Sequence, residues 1–304
     1  MLFNVRKILS ILFYSVITIA AIILEFHFNF DPVKAGLITT GFMVLAIAMQ
    51  YIFPEERKPR ERGELLTDVL YFIFGSVVFG AIRNMLVQTV TRWLAPGLLV
   101  SSGIIAPGHG LDILPFWPQV ILFMLCIDLG FYWTHRLSHQ VPWLFRFHSI
   151  HHMPHRVSVL NGSRTHPIDA IWRRVVPTLL VLQLGFSKDA AGMGMLMMMM
   201  LGVFQHMNVD FDFGFLNRII GTNQGHRWHH STVVSESLNY GLLSIWDQVW
   251  GTYRVTDRPQ RPKEMGLEDQ GVVPIHNFFY QLVVPFLSKK KTHPLAMPVQ
   301  TDRA

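Results

Sequence analysis

Long apolar runs edged by basic residues recur along this chain, and they leave its backbone few choices. Inside lipid every backbone N–H and C=O must be paired within its own segment, so such a run has to be a helix. Ile8 to Phe26 is nearly uninterrupted and follows Arg6 and Lys7. At about 1.5 Å per residue it can cross a hydrocarbon core of about 30 Å. It is longer than the apolar core of a signal peptide and no small-x-small cleavage site follows it, so it reads as an anchor. Ala35 to Phe53 is a second span, closed by the charged loop from Glu55 to Arg62. Thr67 to Val90 is a third, with Arg83 near its end. A loop marked by Gly, Pro and Ser leads to a fourth, Phe116 to Thr134. Val175 to Phe186 and Met193 to His206 are shorter runs, read either as two more spans or as a re-entrant hairpin.

Charge supports a membrane protein. Only 15% of the residues are charged, against about 25% in soluble domains. With a cytoplasmic N-terminus, all of the 26 Lys and Arg residues except Lys34, Arg83, Arg92 and Lys188 fall on the cytoplasmic side, as the positive-inside rule requires. The net charge of +6 therefore flanks spans and does not mark a nucleic-acid binder. A single cysteine, Cys126, excludes a disulfide scaffold. The expected fold is all-α and integral to the membrane, with four to six transmembrane helices and a cytoplasmic helical cap rich in histidine. Three regions are expected: N-terminal spans and loops over 1–115, a domain over 116–256 that holds the histidine clusters, and an interfacial tail over 257–304. In that tail, Val272 to Leu287 followed by Lys289, Lys290 and Lys291 reads either as an interfacial segment meeting anionic headgroups or as a solvated tail with no membrane contact. The six methionines between Met193 and Met200 read as lipid-facing filler in preference to a tunnel lining.

The chain carries 15 histidines, and eight of them stand in three clusters. His135 and His139 are spaced His-x-x-x-His. His148, His151 and His152 form His-x-x-His-His, and His226, His229 and His230 repeat that spacing. On a helix such positions share a face, so each His-x-x-His-His is expected to aim three imidazoles, or at least two, at one point, and the first pair adds two more. Packing that many imidazoles costs desolvation unless a metal binds them. Eight are too many for one tetrahedral zinc, and Cys126 lies inside a span. A two-metal site fits the count, and two irons at a membrane boundary suggest O2 activation and attack on an unactivated C–H bond. His27, His109, His155, His276 and His293 read as ordinary surface or core histidines.

The order of these clusters resembles the fatty acid hydroxylase/sterol desaturase superfamily of membrane di-iron oxidases, over roughly residues 120–255. The likeness extends to Thr165-His166-Pro167-Ile168-Asp169, to His206-Met207-Asn208, and to Asn239-Tyr240-Gly241, Ile245-Trp246-Asp247 and Trp250-Gly251-Thr252-Tyr253. Trp250 stands where the family pattern has phenylalanine or another apolar residue. The resemblance implies metal ligands at His135, His139, His148, His151, His152, His226, His229 and His230, with His206 and His166 as further candidates. His206 alternatively caps a hairpin end, and His166 alternatively starts a helix before Pro167. Asp169 and Asp247 are candidates to orient ligating imidazoles, or to pair with arginines, and Asp128 stands behind the ligands. The implied cofactor is two iron ions. The implied partners are a lipid or sterol substrate, O2, the membrane and a separate electron-donor protein, since no fused haem domain is visible. Hydroxylation and desaturation both occur in the superfamily. A membrane metal transporter or metal-storage protein is the alternative, disfavoured because the clusters sit beyond the span ends. No His-Glu-x-x-His motif supports zinc proteolysis. The expected location is a bacterial inner membrane, with the histidines on the cytoplasmic side.

Overall fold

The structure, a computed structural model, describes residues 32–82, 85–86, 89, 110–211, 213–255, 261–267 and 276–287. The first expected span, the end of the third, Arg92, His27, His109, His293 and the three tail lysines lie outside them. The described residues are helical and contain no strand, with only isolated bridges such as Pro54 to Val209.

The helices follow the apolar runs, and their ends follow local chemistry. Helix α1 (Pro32–Ile52) carries no acidic first turn and no basic last turn. Helix α2 (Glu64–Ile73) starts after Gly63, whose φ of 83° favours glycine, and runs into a π-helical turn at Phe74–Val78. Helix α3 (Phe116–Gln140) is the longest among the described residues and the one long and apolar enough to cross a membrane. It ends at Val141, which is extended as a residue before proline must be. Pro142 then opens α4 (Pro142–His152) at the position where a missing N–H costs nothing. A kinked helical stretch follows: α5 (Pro167–Ala170), a π-helical turn at Ile171–Val175, and α6 (Val176–Leu182). Helix α7 (Lys188–Gln205) is capped by Ser187, whose side chain accepts from the Ala190 amide. Short α8 (Asn223–His229) and α9 (Ser244–Val249) come next, and α10 (Phe278–Leu287) is the last described.

Helix α3 is the axis, packed by α4, α6 and α7, while α1 lies against the far side of α7. Close approach needs small residues: a Cβ on Gly130 would stand 2.8 Å from Pro177 of α6, and one on Gly194 of α7 would stand 2.6 Å from the Phe123 ring of α3. The largest apolar cluster joins Phe42 and Ala46 of α1 to Leu196, Met200 and Phe204 of α7. The methionine run therefore departs from its expected lipid-facing role. Met193, Met198 and Met200 are buried in the core, and Met199 is the exposed member. The reason is that α7 is held between α1 and α3, so most of its circumference is covered. Helix α10 covers α2 and α4, burying Phe278 against Tyr71 and Phe74, while Phe279, Val283 and Phe286 point outwards.

Candidate metal centre

Four helices bring their C-terminal ends to one place. His135 and His139 lie in the last two turns of α3, His148, His151 and His152 in the last turns of α4, and His226 and His229 on α8. His230 and His206 are the residues that cap α8 and α7. A helix C-terminus carries the negative end of the macrodipole, so this meeting point favours a cation.

The imidazoles sort into two groups. His135, His139, His148, His152 and His229 form the first, and His151, His206, His226 and His230 the second; within each, one ligand atom per residue lies within 4.8 Å of every other. The groups adjoin, and the rings of His152 and His230, one from each, stack at 4.4 Å. Each His-x-x-His-His cluster sends two imidazoles to one group, the lesser of the two expected numbers, and its third ring to the other. His148 and His152 serve the first group and His151 the second, whereas His226 and His230 serve the second and His229 the first. Helical geometry explains the split: at about 100° per residue, positions i and i+4 lie about 40° apart, whereas i+3 and i+4 lie about 100° apart.

The nitrogen bookkeeping tests whether a metal fits. His135 donates from Nδ1 to the Tyr240 carbonyl at 2.7 Å, His148 from Nδ1 to Asp169 at 3.2 Å, and His229 from Nδ1 to the Leu238 carbonyl at 2.9 Å. In the second group His151 donates to the Arg164 carbonyl at 3.2 Å and His206 to the Gly202 carbonyl at 2.8 Å. A neutral imidazole has one proton, so each of these rings is left with a bare lone pair on Nε2. Yet the Nε2 atoms of His135 and His148 face each other at 3.0 Å, and those of His151 and His206 at 3.3 Å. Two lone pairs at that distance repel unless a cation lies among them. The buried Nε2 of His229 has no hydrogen-bond partner at all among the described residues. The donor set thus fits metal ions, and the outer hydrogen bonds are the kind that orient ligating histidines.

Electrostatics point the same way. Burial, reinforced by the neighbouring imidazoles, holds His151, His152, His226, His229 and His230 well below the usual histidine value of 6.5. They are therefore neutral and ready to coordinate. His148 is also lowered by burial, against the pull of Asp169. Burial by itself would raise the Asp169 carboxyl, but Arg173 at 2.8 Å and His148 more than offset it and hold the group below the usual carboxylate range.

With this geometry in hand, comparison with known proteins is decisive. The fatty acid hydroxylase profile matches residues 120–252. An ornithine lipid hydroxylase of Rhizobium tropici is 36% identical over 251 residues, covering 78% of this chain and 71% of that one. The chain belongs to the fatty acid hydroxylase family. Two further relatives match over shorter stretches. An alkylglycerol monooxygenase of Danio rerio is 28% identical over 134 residues, covering 43% of this chain and 30% of that protein. Methylsterol monooxygenase 2-2 of Arabidopsis thaliana is 27% identical over 161 residues, covering 50% and 60%. No solved structure matches the chain.

In this member of the fatty acid hydroxylase family, every histidine singled out in the sequence joins one of the two groups except His166. That ring is occupied elsewhere: Nδ1 accepts from the Ile168 amide and caps α5, and Nε2 donates to the Leu282 carbonyl of α10. His155 and His276 also stand apart, sharing the two oxygens of Glu61 at 2.8 and 3.0 Å. Asp169 does both things open to it, orienting His148 and pairing with Arg173. Among the described residues Asp247 orients no imidazole directly; it accepts from the backbone amides of Tyr240 and Gly241. The carbonyls of Arg164, Gly202, Leu238 and Tyr240 escaped the sequence reading, because a backbone acceptor leaves no side-chain signature.

Proposed function

We propose that this chain is a membrane-bound, O2-dependent oxygenase that holds two iron ions in the two histidine groups and hydroxylates or desaturates a C–H bond of a lipid. The observation that carries the reading is the pairing of unprotonated imidazole nitrogens, face to face, in two adjoining buried groups. Five nitrogen donors in the first group exceed what a tetrahedral zinc takes, which favours iron. When bound, such a pair of irons supplies O2 activation and the removal of hydrogen from an unactivated C–H bond. His135, His139, His148, His152 and His229 would hold one ion, and His151, His206, His226 and His230 the other. His166 is left to its capping role. Asp169 and the carbonyls of Tyr240, Leu238, Arg164 and Gly202 fix the ring directions. All of these rings are buried except the half-buried His206, which limits the water that reaches the reacting centre.

The same reading has α3 crossing the bilayer and the exposed apolar side chains of α1, α6 and α10 facing lipid, so that four to six spans carry a cytoplasmic cap. The ligand positions at one end of α3 suit a site at the membrane boundary better than a transport path at the bilayer midplane. Electrons come from a separate donor protein at the basic cytoplasmic face, and the membrane is a bacterial inner membrane. The relative from Rhizobium tropici is named for ornithine lipid, so ornithine lipid is the first substrate to offer. The test is metal analysis of the purified chain, together with the lipids extracted from cells with and without it. Two irons per chain and an O2-dependent gain of one oxygen, or loss of two hydrogens, on a lipid are expected. One zinc per chain with no O2-dependent product overturns the proposal.

A further inference from the structure

Loop 238–243 leads into α9; its Leu238 and Tyr240 carbonyls accept from rings of the first group, while its Gly241 carbonyl accepts from the Gln205 side chain. Leu238 accepts from His229 at 2.9 Å and Tyr240 from His135 at 2.7 Å. The carbonyls behind the second group, Arg164 and Gly202, come from elsewhere. The loop is itself gripped by two buried carboxylates. Asp128, two turns before His135 on α3, accepts the Leu242 amide on Oδ1 and the Leu243 amide on Oδ2, both at 2.8 Å. Asp247 accepts the Tyr240 amide at 2.8 Å, the Gly241 amide at 3.0 Å and the Thr252 hydroxyl at 2.7 Å. Gly241 is wedged between them. A Cβ there would stand 2.5 Å from the Leu243 carbonyl, 3.2 Å from Asp247 and 3.3 Å from Asp128. A carboxyl group that receives two successive amides, one on each oxygen, fixes both the position and the direction of the loop.

We infer that Asp128 is a positioning residue for the first metal position and not for the second: by fixing the Leu242 and Leu243 amides it fixes the Tyr240 carbonyl, and with it the tautomer and direction of His135. This inference rests on the metal-binding reading above. Asp128→Asn replaces one acceptor oxygen with an NH2 donor aimed at a backbone N–H, so one amide loses its partner and the loop shifts. Gly241→Ala displaces the same loop mainly through its clash with the Leu243 carbonyl, while both carboxyl groups keep their chemistry.

The experiment is titration of the detergent-purified full chain with Fe(II) and with Co(II), whose absorption reports its ligands, in two backgrounds. His151→Ala takes a ligand from the second group and leaves the first as the intact site to be read, and His135→Ala does the reverse. Added to His151→Ala, both Asp128→Asn and Gly241→Ala are expected to weaken the remaining metal about 10- to 100-fold, the usual cost of losing an outer partner of a ligand. Added to His135→Ala, they are expected to leave the remaining metal unchanged. Equal weakening in both backgrounds, or none in either, overturns the inference. A parent chain that takes up neither metal overturns the metal-binding reading itself, and is told apart by failing before any substitution is made.

Discussion

At the scale of single residues, the site is a set of decisions about where one proton sits. Each supporting acceptor places that proton on Nδ1 and leaves Nε2 bare, so the acceptors matter as much as the rings. Asp169→Asn keeps the shape but removes the charge that faces His148 and Arg173. Iron or cobalt affinity of the first group is expected to fall about 10- to 100-fold, read by metal titration. His166→Ala is expected to leave both metals in place and to cost about 1 kcal/mol, the usual value of a lost helix cap, read by thermal unfolding. The clusters themselves were legible in the sequence because imidazoles at helical spacing have few other uses. Their division between two groups was not, since it depends on how each helix is rotated about its axis. Nor was the idle state of His166, whose partner Leu282 lies far along the chain.

At the scale of elements, apolar runs located α1, α3 and α7 well, because length and hydropathy are properties of a segment alone. The π-helical turns at Phe74–Val78 and Ile171–Val175 and the burial of the methionine run were not legible, because they answer to neighbours. The turn at Asn161–Ser163 shows how tightly such neighbours are set. A Cβ on Gly162 would stand 2.6 Å from the His206 ring, and that ring is tied back to the Gly202 carbonyl. Gly162→Ala is therefore expected to push His206 from the second group. In metal titrations, one of the two ions should weaken while the first-group ion keeps its affinity.

At the scale of the whole molecule, the buried histidines set how stability responds to pH. In the native state His148, His151, His152, His226, His229 and His230 resist protonation, whereas in the unfolded chain they take up protons as pH falls past about 6.5. The unfolded state then binds more protons, so stability is full above about 6.5 and is lost as pH falls below it. Asp247 works in the opposite sense. Burial raises its carboxyl to about 6, so its contribution is full below 3.8 and is lost as pH rises through about 6. Six groups outweigh one, and the metal-free protein in detergent is expected to unfold at lower temperature at pH 5.5 than at pH 8. Bound metal competes with the same protons, so metal retention should fall over the same range.

The crossing of rings, with α4 and α8 each lending to both groups, has a mechanical consequence. The gap between the two histidine groups is gauged by the sliding register of one helix end against the other, as a calliper is gauged by its jaws. Slippage by a single turn would not loosen one group and spare its neighbour; it would pull both apart together.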